Sequence, residues 1–371
     1  MLMQNYEQYD MTIISGKGSY LFDENGKKYL DMFSGIGVNQ IGHTHPKWVE
    51  AVCNQAKQLE HVSNRVRTVP SQKFAEKIAE ISGMHSIYFT NSGAESNEAL
   101  IKAARKYACD KYGITDGKIA TLNNGFHGKT ITTLAATGID EYHRYFYPFT
   151  DGFYHIPNNG SISLQNDTIA VLVEVVQGLG GVNPLQKDFL FSLQKLCNEN
   201  DILFMIDEVQ TGFGRTGKWF GFQQYGLKPD AISFAKGAGS GLPMGGIAVS
   251  EKLENIFLPK GTQGTTFGGN PIACAGALAA VEILEKELPF IEEKGERLQM
   301  INRKKFGNAH GLGLMVGSVI GENVNEVVQE LIKVGVIPLT ANGGTLRLLP
   351  PLTISNDEID EYEEKLMSIK I

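Results

Sequence analysis

The sequence predicts an α/β protein with a mainly parallel central sheet sandwiched by helices, plus a smaller α/β C-terminal domain. Three observations predict it. TIAVLVEVV (168–176) is a nearly continuous apolar run, the mark of a strand buried on both faces. ILFMIDE (202–208) and DAISFAKG (230–237) repeat that pattern. Helical patterns alternate with these strands from about residue 50 to 250, as parallel pairing requires.

Taken in order, residues 18–33 read as a hairpin, because two alternating runs flank the turn signal Asn25-Gly26. Residues 47–82 read as helix, broken near Asn64 and Pro70. SIYFT (86–90) is a strand running through a Gly turn into the long helix ESNEALIKAARKYACDKYG. KIATL (118–122) is a strand leading to NGFHGKT and a further helical stretch. DFLFSLQKLCNEN (188–200) is helical, and GGIAVS (245–250) adds a short strand. NPIACAGALAAVEILEKEL then opens a different region, in which the short strands GLMVGSVI and TLRLLP alternate with helices up to Ile371. The division follows: an N-terminal segment, 1–50, packing with the small domain; a large cofactor-binding domain, 51–255; and a helix with the small C-terminal domain, 256–371.

Composition excludes several classes. With 42% hydrophobic residues the 371-residue chain can bury a large core. A net charge of −7 argues against a dedicated nucleic-acid or anionic-membrane binder. No segment reads as a membrane-spanning helix, and the polar N-terminus lacks the apolar region of a signal peptide, so a cytoplasmic location is expected. Cys53, Cys109, Cys197 and Cys274 are too widely spaced for a metal or redox motif and read as reduced thiols.

In an open parallel sheet, ligands bind beyond the carboxyl ends of the strands. Four strand ends here carry unusual residues. Asn91-Ser92-Gly93-Ala94 opens a helix with small residues, which suits an anion at the helix N-terminus or simply a tight turn with a Ser cap. Asp207-Glu208 ends an apolar strand, where an acid needs a cation or donor; a structural ion pair or helix cap fits equally. Lys236 ends another apolar strand, where desolvation makes an amine nucleophilic toward carbonyls, although a Lys can also snorkel to the surface. Phe126-His127-Gly128 follows KIATL and offers an aromatic ring for stacking or for the core. At one sheet edge, a phosphate cradle, a nucleophilic Lys, a carboxylate and an aromatic together suit pyridoxal 5'-phosphate.

Three other patterns are weaker. Gly212-Phe213-Gly214-Arg215-Thr216-Gly217 matches GxGxxG, but the helix and the distal acid of a dinucleotide fold are missing. Gly128-Lys129-Thr130 resembles the tail of a phosphate loop, but Asn123 stands where Gly is required. His43 and His45 sit on a turn without further ligands nearby, which points to a structural role and to no metal site.

At this point the chain resembles the class III (fold type I) pyridoxal-phosphate aminotransferases, and within them the acetylornithine branch. The likeness rests on YLFDENGKKYLDMFSGIGVNQIGHTHP, FTNSGAESNEALIKAAR, NGFHGKT, LVEVVQG, MIDEVQTGFGRTGKWF, DAISFAKG, GTTFGGNPIACA and TLRLLPPLTI, nearly the whole chain. It implies that Lys236 is the Schiff-base lysine and proton shuttle, and that Asp207 pairs with the pyridine nitrogen. It implies that Val209 and Phe126 pack on the ring, Gln210 reaches the ring hydroxyl, and Gly93 and Ala94 offer backbone to the phosphate. Thr266 resembles a phosphate ligand donated by a neighbouring subunit, which implies a homodimer with shared sites. Thr265 and Asn39 fall where the family contacts substrate, and Arg347 resembles the arginine that grips an α-carboxylate. The implied reaction moves the terminal amino group of N-acetylornithine to 2-oxoglutarate, a step of arginine biosynthesis. A related ω-aminotransferase acting on putrescine, 4-aminobutyrate, lysine or succinyl-diaminopimelate is the alternative.

Three residues depart from that family. Lys129 replaces an arginine, keeping charge but losing the bidentate fork. Leu179 replaces a glutamate that pairs with the arginine at position 347, leaving Arg347 available or in need of another acid. Arg67 stands where relatives line the donor pocket. The paired loss and gain of basic residues leads to the expectation that Arg67 and Lys129 together contact the donor's carboxylate.

Overall fold

The computed structural model describes residues 2–253 and 260–370. The boundary expected at 255/256 lies outside the described residues. The chain opens with β1 (Ile13–Lys17), β2 (Tyr20–Asp23) and β3 (Lys28–Asp31), an antiparallel meander turning at Gly26 with φ +80°. Helices α1 (Pro46–Gln58) and α2 (Val69–Ser82) follow. The break between them spans 59–68, and Pro70 does not interrupt a helix. It sits in the first turn of α2, where a missing N–H costs nothing.

The large unit then alternates: β4 (Ser86–Thr90), α3 (Gly93–Tyr112), β5 (Lys118–Leu122), β6 (Phe153–Ile156), β7 (Thr168–Val173), α4 (Lys187–Glu199), β8 (Leu203–Asp207), β9 (Ala231–Phe234) and β10 (Gly245–Val249). These strands form one seven-stranded sheet in the order β4-β10-β9-β8-β7-β5-β6. All neighbours are parallel except at β10, which runs antiparallel to β9 and β4. The short strand GGIAVS is thus the one reversed member of the sheet.

Two-residue alternation splits each strand between two cores. Leu203 and Met205 of β8 face α3 with Leu172 and Ala231, whereas Phe204 and Ile206 join Phe189, Leu193 and Phe74 on the other side. Both faces are therefore covered, which explains why these strands read as continuous apolar runs.

Beyond this sheet come α5 (Pro271–Glu287) and α6 (Ile291–Phe306), then β11 (His310–Leu312), β12 (Met315–Val319), α7 (Val324–Lys333), β13 (Val336–Ile337), β14 (Leu339–Ala341), β15 (Thr345–Leu348) and α8 (Asn356–Ser368). Asn270 caps α5 by accepting from Ile272 and Ala273 N–H groups, and Pro271 supplies the preset φ of its first residue. Strands β11-β12-β15-β14 form an antiparallel sheet backed by α6. Leu30 and Asp31 of β3 pair in parallel with Val336 and Ile337 of β13, so the first residues of the chain and the last third share a sheet. Among the described residues no helix is long and apolar enough to cross a membrane.

Candidate active site

A cavity of about 640 Å³ opens at the carboxyl edge of the seven-stranded sheet. Five strand ends feed it: Asn91–Ala94 after β4, Phe126–Lys129 after β5, Glu174 after β7, Asp207 at the end of β8, and Ala235-Lys236 after β9. The C-terminal sheet adds Arg347 from β15. All four strand ends singled out in the sequence thus meet in one chamber.

Asp207 forms the floor. Its Oδ2 lies 2.7 Å from the Asn97 amide nitrogen and 2.9 Å from His127 Nδ1, and its Oδ1 accepts from the Val209 N–H at 3.0 Å. Burial pushes this carboxyl upward. The hydrogen bond and charge of His127, with the Val209 and Asn97 donors, outweigh burial and hold Asp207 below its ordinary value. A buried unpaired carboxylate costs several kcal/mol, roughly, so these donors are what keep a negative charge at this depth.

Lys236 begins the turn after β9 in the left-handed region, at φ +44°, a conformation uncommon outside Gly. Lys236 lines the cavity together with Asp207 and Arg347. Burial, aided by the Arg347 cation, lowers Lys236 from 10.5 to about 8, although Asp207 and Glu174 oppose the shift. A neutral amine is therefore accessible near physiological pH.

The N-terminus of α3 faces the same space. Ser92 caps it by accepting from the Glu95 N–H at 3.2 Å, and Ser92 O accepts from the Ser96 N–H at 3.0 Å. Gly93 and Ala94, whose N–H groups belong to the unpaired first turn of a helix, line the cavity. A Cβ at Gly93 would lie 2.7 Å from Val209 Cγ1, so only Gly lets this turn close on the cavity wall.

Phe126, Val209 and Gln210 line the chamber. Phe126 stands edge-on to Tyr142 at 6.1 Å, and its N–H donates to Glu174 Oε1 at 2.8 Å. Arg347 NH1 donates to Gly178 O at 3.3 Å and lies 3.5 Å from Gln210 Oε1, while its Nε has no partner among the described residues. Burial brings Arg347 down to about 10, opposed first by Glu174. Leu179 lines the cavity, so its wall there is apolar, and Glu174 is the acid that acts on Arg347 instead. This donor set, an anion cradle, a buried carboxylate and a desolvated amine, fits a planar heterocycle carrying a phosphate and an aldehyde.

The remaining expected residues are less central. Lys129 lines the cavity from its exposed side, with Nζ 4.6 Å above the Tyr142 ring. Asn39 packs behind the wall, between Gly35 and Gly241. Thr265 Oγ1 accepts from the Asn91 amide at 2.9 Å, at the margin of the site. Thr266 and Arg67 are exposed and do not line the cavity of this single chain. The expected contact between Arg67 and a donor held by Lys129 is therefore not made within one chain. The segments of Arg67 and Thr266 are themselves joined, because the Asn64 amide donates to Thr265 O at 3.0 Å.

Three residues have roles in the site that the sequence reading did not assign. His127 and Asn97 both hold Asp207, and Glu174 braces Phe126 and the Gly178 N–H. Glu174 carried a usable signal, since an acid inside TIAVLVEVV needs donors just as Asp207 does. Burial pushes Glu174 up to about 7. Asn97 carried none, lying mid-helix like any polar residue. Of the weaker patterns, His43 pairs with buried Asp31 at 2.6 Å, and the GxGxxG segment leads only into the five-residue helix Gly221–Tyr225.

A family model described as aminotransferase class-III matches residues 2–369. The acetylornithine aminotransferase of Haemophilus ducreyi is 44% identical over 97% of this chain and 93% of that protein. The acetylornithine aminotransferase of Methanocaldococcus jannaschii is 41% identical over 96% and 93%. A solved ornithine aminotransferase of Toxoplasma gondii, with pyridoxal phosphate at partial occupancy in its active site, superposes with a TM-score of 0.93 at 29% identity, covering 99% of this chain and 91% of that one.

Proposed function

The chain belongs to the class-III aminotransferases, and we propose that it moves the terminal amino group of N-acetylornithine to 2-oxoglutarate, giving N-acetylglutamate semialdehyde and glutamate. The enzyme works with pyridoxal phosphate. The carrying observation is that the desolvated amine of Lys236 and the buried cation of Arg347 face one chamber.

When bound, the cofactor supplies an aldehyde that captures amines and a ring that accepts an electron pair. Asp207, kept ionised by His127 and Asn97, holds the ring nitrogen protonated. Gly93 and Ala94 hold the phosphate, Phe126 and Val209 hold the ring, and Gln210 holds its hydroxyl. Lys236 Nζ would take the proton from the donor carbon that bears the amino group and deliver it to the cofactor's aldehyde carbon. Arg347 binds the α-carboxylate of glutamate or 2-oxoglutarate through a two-pronged contact. Lys129 offers a single cation to the donor's carboxylate, with Asn39 and Thr265 near the substrate. We assign Thr266 to the phosphate of a partner copy, and Arg67 to the same interface, so the working form is a homodimer.

A second reading, a related enzyme acting on putrescine, 4-aminobutyrate, lysine or succinyl-diaminopimelate, draws on the apolar wall that Leu179 gives the donor side. A donor panel with 2-oxoglutarate as acceptor, reading glutamate formed, separates the two. N-acetylornithine is expected to give the highest kcat/KM. A higher value for any of the other four overturns the donor assignment.

A further inference from the structure

We propose that Arg215 is a positioning residue that fixes the separation between Arg347 and the cavity-lining Val209 and Gln210, by tying the loop after β8 to the strand pair that carries Arg347. The loop 208–220 has its near end in the cavity, at Val209 and Gln210. Five residues on, the fully buried Arg215 reaches across to the C-terminal sheet. Its NH1 donates to Leu314 O at 2.9 Å and to Pro350 O at 2.6 Å, and its own carbonyl accepts from the Leu314 N–H at 3.0 Å.

The choice of those two carbonyls matters. Strands β12 and β15 pair with Val316 opposite Leu348 and Gly317 opposite Arg347. Continued two residues outward, the same antiparallel register brings Leu314 opposite Pro350. One guanidinium nitrogen therefore clamps both strands at the end of the ladder, beside the position that presents Arg347. Backbone contact reinforces the clamp, because a Cβ at Gly313 would lie 2.6 Å from Arg215 O.

A purely stabilising role accounts poorly for a charge here. Burial lowers Arg215 to about 9, and Asp31, the acid whose charge opposes that shift, is paired with His43. Among the described residues, the Nε and NH2 of Arg215 have no partner. Buried charges replaced by apolar residues of similar size are often neutral or stabilising. What an apolar residue cannot do is hold two strand ends at a set distance from the cofactor-side loop.

The inference rests on Arg347 gripping the substrate carboxylate. Arg215→Met and Arg215→Lys are to be compared with Arg347→Ala in three measurements. These are the Kd for glutarate by calorimetry, the KM for 2-oxoglutarate, and the KM for butanal, an acceptor with no carboxylate. For Arg215→Met we expect glutarate Kd and 2-oxoglutarate KM to rise by about tenfold or more, since a misplacement of ~1 Å can cost ~100-fold. The butanal KM stays within about twofold, and Arg215→Lys falls between. Equal changes for both acceptors, or none, overturn the inference. If Arg215→Met does not fold, Arg215→Lys is judged on the same criteria. If Arg347→Ala leaves glutarate binding unchanged, the carboxylate-grip reading fails. If Arg347→Ala weakens glutarate and the Arg215 variants do not, only the positioning role fails.

Discussion

The floor and the rim of the cavity are built differently. On the floor, Asp207 is held by three donors from three separate elements, and Lys236 is fixed by a strained turn. On the rim, Lys129 is exposed and rests on one tyrosine ring, while Arg67 and Thr266 do not enter the chamber of their own chain. The difference separates what the enzyme does from what it does it to. On the proposed assignment, chemistry resides where geometry is over-determined, and donor choice resides where a few exposed cations decide.

The strongest challenge to that division is Lys236→Ala. Removal of a general acid–base and amine at the floor is expected to lower kcat/KM by about 10⁴-fold and to abolish the cofactor's lysine-dependent visible band. A loss of a few-fold would place the chemistry elsewhere. Next comes Asp207→Asn, which keeps the size but removes the charge we assign to the ring nitrogen. A loss of about 10²–10³-fold is expected, with a modest fall in Tm, because the Asn oxygen still accepts from His127 and Asn97 while its NH2 meets the Val209 N–H. If Tm falls sharply while kcat holds, Asp207 is a structural acid.

A third test uses pH. Lys236 is lowered to about 8, so the reactive neutral amine predominates above that value and declines below it. In cofactor-free protein, the rate of pyridoxal phosphate capture should climb through pH 8 and then level off. Below pH 8 it should fall by about tenfold per unit. A midpoint near 10.5 would show an unperturbed amine and contradict the desolvated floor. The smallest effects belong to the rim. Lys129→Ala should raise the donor KM by only about threefold, and less in high salt, as exposed ionic contacts are weak. Arg67→Ala should raise the donor KM and leave the 2-oxoglutarate KM nearly unchanged. Equal effects on both substrates would remove Arg67 from the donor site.

The same contrast governs what could be read from sequence. Asp207, Lys236, Gly93 and Phe126 announced themselves because each ends a strand whose apolar run fixes its direction, and parallel strands bring their ends to one edge. Arg347 was legible only through family resemblance, since nothing in TLRLLP says that β15 of a second sheet reaches the first. His127 and Glu174 were within reach, being polar groups beside buried strands, but their partners lie 80 and 48 residues away. The single reversed strand β10 was invisible, because a both-sides-buried strand reads the same in either direction. Arg67 and Thr266 fall outside one chain's cavity, and sequence spacing says nothing of whether a second copy would meet them.

The central claim is that the terminal nitrogen of the donor itself reaches 2-oxoglutarate. The enzyme should be incubated with N-acetylornithine carrying ¹⁵N in its terminal amine, and the products followed by mass spectrometry. The expected result is ¹⁵N in the amino group of glutamate, formed in equal amount with unlabelled N-acetylglutamate semialdehyde. Label recovered as ammonia, or glutamate formed without label, would contradict it.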